Sequence, residues 1–283
     1  AWADKAHLPG YAAHDQVDLV AVCDVNEERA RAAAEKFGAR KVYTDAADLI
    51  ADPEVQMVDV CTPTHTHLPL SLEAIAARKH VLSEKPLHTE AAPAFDAAAR
   101  ADAAGVRTKL GFTFRYSPAI RWIQQAVASG ELGEIYHIHG FEQNQQWLDP
   151  DFPLRQVAPH AKRDTLIPSS IVGYGSHLID LMRWIGGDFD SVVSSMKNFI
   201  PERVIRGEEG RQRILIDDGT VGLVEYANGA QGTLQTSYIA VGNYPGVEIR
   251  VYGSKGAAVA RLISEFGTAE TLKFATAEEV EFK

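Results

Sequence analysis

Asp24 combines residue type and place in a way that points to chemistry. It closes the apolar run VDLVAVCD, residues 17–24, and an amphipathic stretch follows it. In a parallel α/β sheet, a carboxylate at the end of the second strand accepts hydrogen bonds from the adenosine ribose of a dinucleotide, about 20 residues beyond a glycine-rich turn. A carboxylate there repels a 2′-phosphate, and no arginine follows immediately, so the position favours NAD over NADP. The competing reading is a helix cap, a common task for Asp before a helix. Counting back from Asp24 places the glycine turn just before Ala1, and AWADKAHLPGYA reads as the helix that ordinarily follows it. The expectation is therefore a dinucleotide fold without its first strand and glycine loop. His137 and His139 alternate on one face of a strand, but no third ligand lies at a recognisable spacing, and no metal is expected.

The elements that must carry such a site follow from the hydrophobic pattern. From residue 17 short β-branched runs alternate with alanine-rich stretches, which is the rhythm of repeated βαβ units and a parallel sheet. The runs end at KVYT, VQMVDVCT (55–62), HVLSEKP and VRTKLGF. The helices between them span about Glu27–Phe37, stopped by Gly38, then Leu68–Arg78, and Ala91–Ala104, ended by Gly105 as a C-terminal cap. Near-continuous apolar strands imply that both sheet faces are covered. After residue 117 the rhythm changes. A helix over Pro118–Ser129 leads into GEIYHIHGFEQNQ, where alternation replaces continuous hydrophobicity. A Pro-rich irregular segment, 147–170, precedes a helix near Ser176–Ile185. RILIDDGTVGLVEYANGAQGTLQTSYIA then reads as three strands joined by turns at Asp218-Gly219 and Asn228-Gly229. The fold expected is α/β: a Rossmann-type doubly wound parallel sheet over residues 1–116, then an α+β domain with a large open, mainly antiparallel sheet over 117–283.

Bulk properties narrow the function. At 283 residues the chain exceeds the usual single core, and two domains are expected. A net charge of −10, without clustered Lys and Arg, excludes a nucleic-acid role and leaves a small molecule as the partner. Cys23 and Cys61 both end apolar runs, which points to thiols at strand ends in a reducing, cytoplasmic setting rather than to a disulfide. No stretch approaches the roughly 20 apolar residues of a membrane span, and no signal-peptide pattern opens the sequence.

Three passages carry a family resemblance: CTPTHTHLPLSLEAIAARKHVLSEKPL (61–87), GFTFRYSP (111–118) and GSHLIDLMRWIGG (175–187). Together they resemble the glucose-fructose oxidoreductase, inositol dehydrogenase and rhizopine-catabolism (Gfo/Idh/MocA) family, over most of the chain. The resemblance implies that Thr62, Pro63 and His67 border the nicotinamide half of the cofactor. It implies that Glu84, Lys85 and Pro86 end a strand at the domain junction, with a cis bond before Pro86. It also implies hydride transfer between NAD and a CH–OH group of a sugar, inositol or related polyol. Such a reaction removes a hydroxyl proton as hydride leaves carbon, so it needs a base and a donor that stabilises the alkoxide. His177, with an ordinary pKa of about 6.5, is the expected base, and Lys85 the expected donor or proton relay. Outside the joint motif, Lys85 reads as a solvated surface lysine and His177 as a satisfied histidine in the first turn of a helix.

The family usually carries an aspartate four residues before that histidine, and here the position is Gly173. Asp180, one turn beyond His177, is the expected partial substitute, or else a helix-surface or interface carboxylate. Tyr174 is a further candidate, limited by an ordinary pKa near 10. Arg115 and Tyr116 are expected to reach a polyhydroxylated substrate, although Arg115 equally suits a structural ion pair. Trp147, His160, Lys162 and Arg163 are expected to wall a sugar site, Trp147 offering a flat apolar face if it is not core. Two readings compete with a dehydrogenase: an inactive relative serving as a sugar/NAD sensor or assembly subunit, favoured by Gly173, and a glycosidase that oxidises its sugar transiently with tightly held NAD. The open sheet face, covered in similar proteins by a partner subunit, predicts a homodimer or homotetramer.

Overall fold

The structure, a computed structural model, describes residues 2–154, 169–243, 246–263 and 269–283. The chain divides into two compact units, Ala1–Gly111 and Phe112–Lys283. The division falls after Gly111 rather than after residue 116. Phe112 and Phe114 pack their rings on His177, and this draws the following 3₁₀ turn, Thr113–Tyr116, into the second unit.

In the first unit a π-helical turn, Ala3–His7, runs into α1 (Leu8–Ala12). Then come β1 (Ala21–Cys23), α2 (Glu27–Phe37), β2 (Lys41–Tyr43), α3 (Ala46–Ala51), β3 (Met57–Val60), α4 (His67–Ala76), β4 (His80–Ser83), α5 (Ala91–Ala104) and β5 (Thr108–Leu110). β1 pairs with β2, and β4 lies between β3 and β5; every pairing is parallel. Local chemistry sets the ends. The Asn26 side chain accepts the Arg29 N–H at the start of α2, and Asp45 accepts the Ala47 N–H at the start of α3. Gly105 ends α5 with φ of 68°, a left-handed conformation that a side chain disfavours. Val58, Val60, Ile75, Val81 and Ala101 form the core over β3 and β4, where the small alanine of α5 permits close helix approach. The consequence for a site is directional: the parallel strands all deliver their following loops to their carboxyl ends, the side on which open α/β sheets bind ligands.

The second unit contains α6 (Pro118–Ala128), β6 (Ile135–Gln143), α7 (Gly175–Gly186), β7 (Phe189–Lys197), β8 (Glu202–Val204), β9 (Arg211–Arg213), β10 (Gly219–Tyr226), β11 (Gln231–Ser237), β12 (Val247–Gly253), β13 (Gly256–Leu262) and β14 (Glu270–Thr276). Seven strands form one sheet in the order β14-β13-β12-β6-β11-β10-β7, antiparallel except for the parallel pair β6–β11. α6 and α7 cover one face. Ile120, Ile123, Leu178, Leu181 and Met182 pack there on Ile138, Ile249, Val251 and Ala260, all fully buried. On the other face Val193 and Leu223, opposite one another in register, are 72% and 63% exposed.

Asn228-Gly229 makes the expected turn between β10 and β11. Asp218-Gly219 does not make one. Gly219 is the first residue of β10, paired with Lys197 and Ser237, and β9 pairs with β8 instead. The Asp218 carboxylate accepts the N–H groups of Phe199 and Ile200 and pairs with the buried Arg203 guanidinium, so tertiary partners override the local turn preference.

Candidate active site

Within the first unit, three strand ends carry the candidate groups. Asp24 follows β1, and its N–H donates to Tyr43 O of β2. Its Oδ1 accepts the Asn26 N–H at 2.8 Å and lies 3.0 Å from Arg29 Nη2. Asn26, not Asp24, caps α2. Both contacts fall on Oδ1 of a side chain that is 38% exposed, so the carboxylate can still accept hydrogen bonds from a ribose diol. That geometry fits NAD.

After β3, Thr62 and Pro63 lead through a 3₁₀ turn, Thr64–Thr66, into α4. The Thr66 hydroxyl donates within this turn, to Thr62 Oγ1 or Pro63 O, both at 2.7 Å. His67 departs from the expectation of a cofactor contact. It is 2% exposed, and its ring nitrogens face two backbone carbonyls, Nδ1 to Pro86 O and Nε2 to Thr62 O, each at 2.8 Å. Its polar atoms tie two loops together instead of reaching a ligand.

After β4 come Glu84, Lys85 and Pro86, half-buried, with the Lys85–Pro86 peptide cis. Glu84 Oε2 accepts the Lys85 N–H at 3.1 Å, and Oε1 accepts from His7 Nε2 at 3.1 Å. His7 Nδ1 in turn donates to Asp59 Oδ2 at 2.7 Å, and the Tyr11 hydroxyl donates to the same oxygen. These hydrogen bonds, to Asp59 first, then Cys61 and Glu84, push the His7 pKa up to about 12 against the opposing effect of burial. Burial pushes the Cys61 thiol up to about 11. The His7, Asp59 and Cys61 ligand atoms lie within 4.8 Å of one another. However, two ligands each about 2.0 Å from a tetrahedral zinc stand about 3.3 Å apart, whereas His7 Nδ1 and Asp59 Oδ2 are 2.7 Å apart, at hydrogen-bond distance. Hydrogen bonds join the three side chains in this structure.

Within the second unit, His177 sits in the first turn of α7 and is 6% exposed. Its ring stacks on Phe114, with centroids 4.3 Å apart, and meets Phe112 edge-on at 5.7 Å. Asp180, one turn on, binds Arg115 through two hydrogen bonds, Nε to Oδ2 at 2.7 Å and Nη2 to Oδ1 at 2.6 Å. Both carboxylate oxygens are thereby engaged, and Arg115 also lies over the Trp184 ring. Tyr116 is exposed.

Gly173 is held by packing. A β-carbon there would stand 1.9 Å from Tyr238 Oη and 3.1 Å from Ser169 O. The space that a carboxylate side chain would enter is taken by a phenol, which accepts the Tyr174 N–H at 3.1 Å. Burial first, and then nearby Glu142, raise the Tyr238 pKa well above its ordinary range, so the hydroxyl keeps its proton. Trp147 packs on Tyr238 with ring centroids 4.2 Å apart, joins Leu154, Ile205 and Ile214, and lies under Arg203. Its ring is therefore partly core. His160, Lys162 and Arg163 lie outside the described residues.

His7, Arg29, Asp59 and Tyr238 escape a reading of the sequence. Their partners lie 77, 5, 52 and 64 residues away at the relevant contacts, and no motif spacing links them.

Comparison with known proteins bears on the family and the fold. The oxidoreductase family model described as an NAD-binding Rossmann fold matches residues 1–112, and the GFO/IDH/MocA C-terminal domain model matches residues 120–259. A levoglucosan dehydrogenase of Pseudarthrobacter phenanthrenivorans is 28% identical, the match covering 90% of this chain and 70% of that protein. A myo-inositol 2-dehydrogenase of Thermotoga maritima is 30% identical over 86% of this chain and 67% of its own length. The crystal structure of an oxidoreductase domain protein from Kribbella flavida superposes with a TM-score of 0.82 at 33% identity, covering 94% of this chain and 71% of that one. The chain belongs to the GFO/IDH/MocA family of NAD-binding oxidoreductases.

Proposed function

We propose that the protein oxidises a CH–OH group of a sugar, inositol or related polyol by hydride transfer to NAD. The observation that carries this reading is the array at the carboxyl ends of parallel strands: Asp24 after β1, Thr62-Pro63 after β3 and Glu84-Lys85-Pro86 after β4. Asp24 binds the adenosine ribose, and Thr62 and Pro63 border the nicotinamide. NAD supplies the hydride acceptor when bound. The substrate class rests on two relatives whose names specify polyhydroxylated rings, levoglucosan and myo-inositol.

The chain's own groups handle the proton and the charge. His177 accepts the hydroxyl proton; the flanking Phe112 and Phe114 rings fix its plane, so little orientation is lost on binding substrate. Lys85 presents a positive charge to the developing alkoxide. Asp180 acts through Arg115, holding the guanidinium by Nε and Nη2 and leaving Nη1 for a substrate hydroxyl. Tyr174 and Tyr116 line the substrate side, and Trp147 braces it from a partly buried position.

Assay of the protein with NAD against a panel of polyols is expected to give NADH absorbance. Lys85→Met and His177→Asn should each lower kcat by about 10²- to 10⁴-fold, the usual contribution of a positioned acid–base group. Retention of wild-type turnover by both variants would overturn the assignment.

No helix among the described residues is long and apolar enough to cross a membrane. Cys23, which ends β1, and Cys61, which follows β3, are both free thiols and suit a reducing cytoplasm. The face of the seven-stranded sheet opposite α6 and α7, with Val193, Val221 and Leu223 exposed, suits burial against a second copy in a homodimer or homotetramer.

A further inference from the structure

Lys85 lies between two residues that histidines hold from opposite directions in sequence. Before it, Glu84 is fixed at three points. Its N–H donates to Val60 O of β3 at 2.9 Å, its Oε2 accepts the Lys85 N–H, and its Oε1 accepts from His7 Nε2. Gly111 closes against the same carboxylate, since a β-carbon there would lie 2.9 Å from Oε1. After it, the Pro86 carbonyl accepts from His67 Nδ1, whose ring is anchored through Nε2 to Thr62 O.

Both histidines share a chemical signature. The nitrogens of His7 face two carboxylates, Asp59 and Glu84, and those of His67 face two carbonyl oxygens. Acceptors stand at both ends of each ring, so each imidazole bridges two segments, His7 joining Asp59 to Glu84 and His67 joining Thr62 to Pro86.

We infer that His7 and His67 are positioning residues for Lys85, clamping the backbone on either side of it so that its ammonium group keeps one direction. This rests on the reading of Lys85 as a catalytic residue. Neither histidine is assigned contact with substrate or cofactor. The groups facing His7 are Tyr11, Asp59, Cys61 and Glu84, and each is accounted for by the network already described.

The test uses the intact protein, with Lys85 observed directly. Reductive ¹³C-methylation retains the charge on lysine and gives each amine an NMR signal, and the Lys85 signal is assigned by its loss in Lys85→Met. His67→Phe removes both hydrogen bonds, His67→Gln keeps an amide donor, and His7→Gln keeps a donor toward one carboxylate. The expected result is a Lys85 resonance that moves toward the free-lysine position in His67→Phe and His7→Gln, and less in His67→Gln. With it kcat should fall by about 10- to 100-fold, the cost of misplacing a reacting group by about 1 Å, while the KM for NAD moves less than threefold and His67→Gln recovers part of kcat. If His67→Phe does not fold, His67→Gln and His7→Gln carry the same comparison. Folded variants with an unmoved Lys85 signal and wild-type kcat sink the inference, as does a loss confined to thermal stability. Full turnover by Lys85→Met sinks instead the functional reading beneath it, so the two failures are distinguishable.

Discussion

At the scale of single residues, cofactor choice turns on Asp24 and Arg29. The carboxylate accepts the Asn26 N–H and forms an ion pair with the Arg29 guanidinium on the same oxygen, and in the proposed ribose-binding role this keeps Arg29 within reach of a 2′-phosphate. In that role the carboxylate repels such a phosphate and holds Arg29, which favours NAD. Asp24→Ser removes the repulsion and frees the arginine. The expected outcome is a rise of about 10- to 100-fold in the KM for NAD, the worth of one or two hydrogen bonds to a charged acceptor, together with a fall in the KM for NADP. Steady-state kinetics with both cofactors measures the ratio, and a variant that keeps its full preference for NAD contradicts the ribose role. A second substitution, Asp24→Ser with Arg29→Ala, should lose the gained use of NADP.

At the scale of elements, the opening helix is tied to β3 and β4 by a charge that depends on pH. His7 holds its proton in the folded chain far above the ordinary histidine value, because Asp59, Cys61 and Glu84 accept hydrogen bonds from it. A pKa raised on folding contributes stability that is complete below the unfolded value near 6.5 and declines as pH rises toward the folded one. The slope cannot exceed about 1.4 kcal/mol per pH unit for one proton. Cys61 has the same sign but acts only above about pH 8.5, where an unfolded thiol ionises. Denaturant unfolding between pH 6.5 and 8 should therefore show wild type losing stability relative to His7→Gln as pH rises; parallel curves would refute the tether. This tether also marks the limit of what the sequence discloses. α2, α5 and the β10–β11 hairpin are legible because their signals are local: a closing Gly38, a left-handed Gly105, an Asn-Gly turn. Asp218-Gly219 carries the same local signal but serves Arg203, Phe199 and Ile200. The strand-end positions of Asp24, Thr62 and Lys85 follow from periodicity. By contrast, the commitment of His67 to two carbonyls, of Asp180 to Arg115 and of Gly173 to the space under Tyr238 depends on contacts that spacing does not encode.

At the scale of the whole molecule, the seven-stranded sheet has α6 and α7 on one face and side chains of mixed character on the other. Along one cross-strand row of that outer face lie Val193, Leu223, Thr233, His139 and Arg250. The apolar end of this row is the part that water disfavours, and the polar end can pair across a two-fold axis. In a two-fold assembly every residue of the patch is buried twice, so a side chain worth about 1.5–2 kcal/mol on burial contributes about 3–4 kcal/mol per dimer. Replacing Leu223 with glutamate removes that contribution and places two carboxylates in the covered patch. The dissociation constant should rise by at least about 10²-fold, and light scattering coupled to size exclusion should show wild type as a dimer or tetramer and Leu223→Glu as a smaller species. Because Leu223 points away from the α6 and α7 face, where the core of this unit lies, the thermal midpoint of the dissociated protein should depend little on its concentration, whereas that of wild type should climb with concentration as binding to a second copy stabilises the folded state. A wild-type protein that stays monomeric at tens of micromolar would mean that the apolar face meets water alone, and the assembly reading would fall.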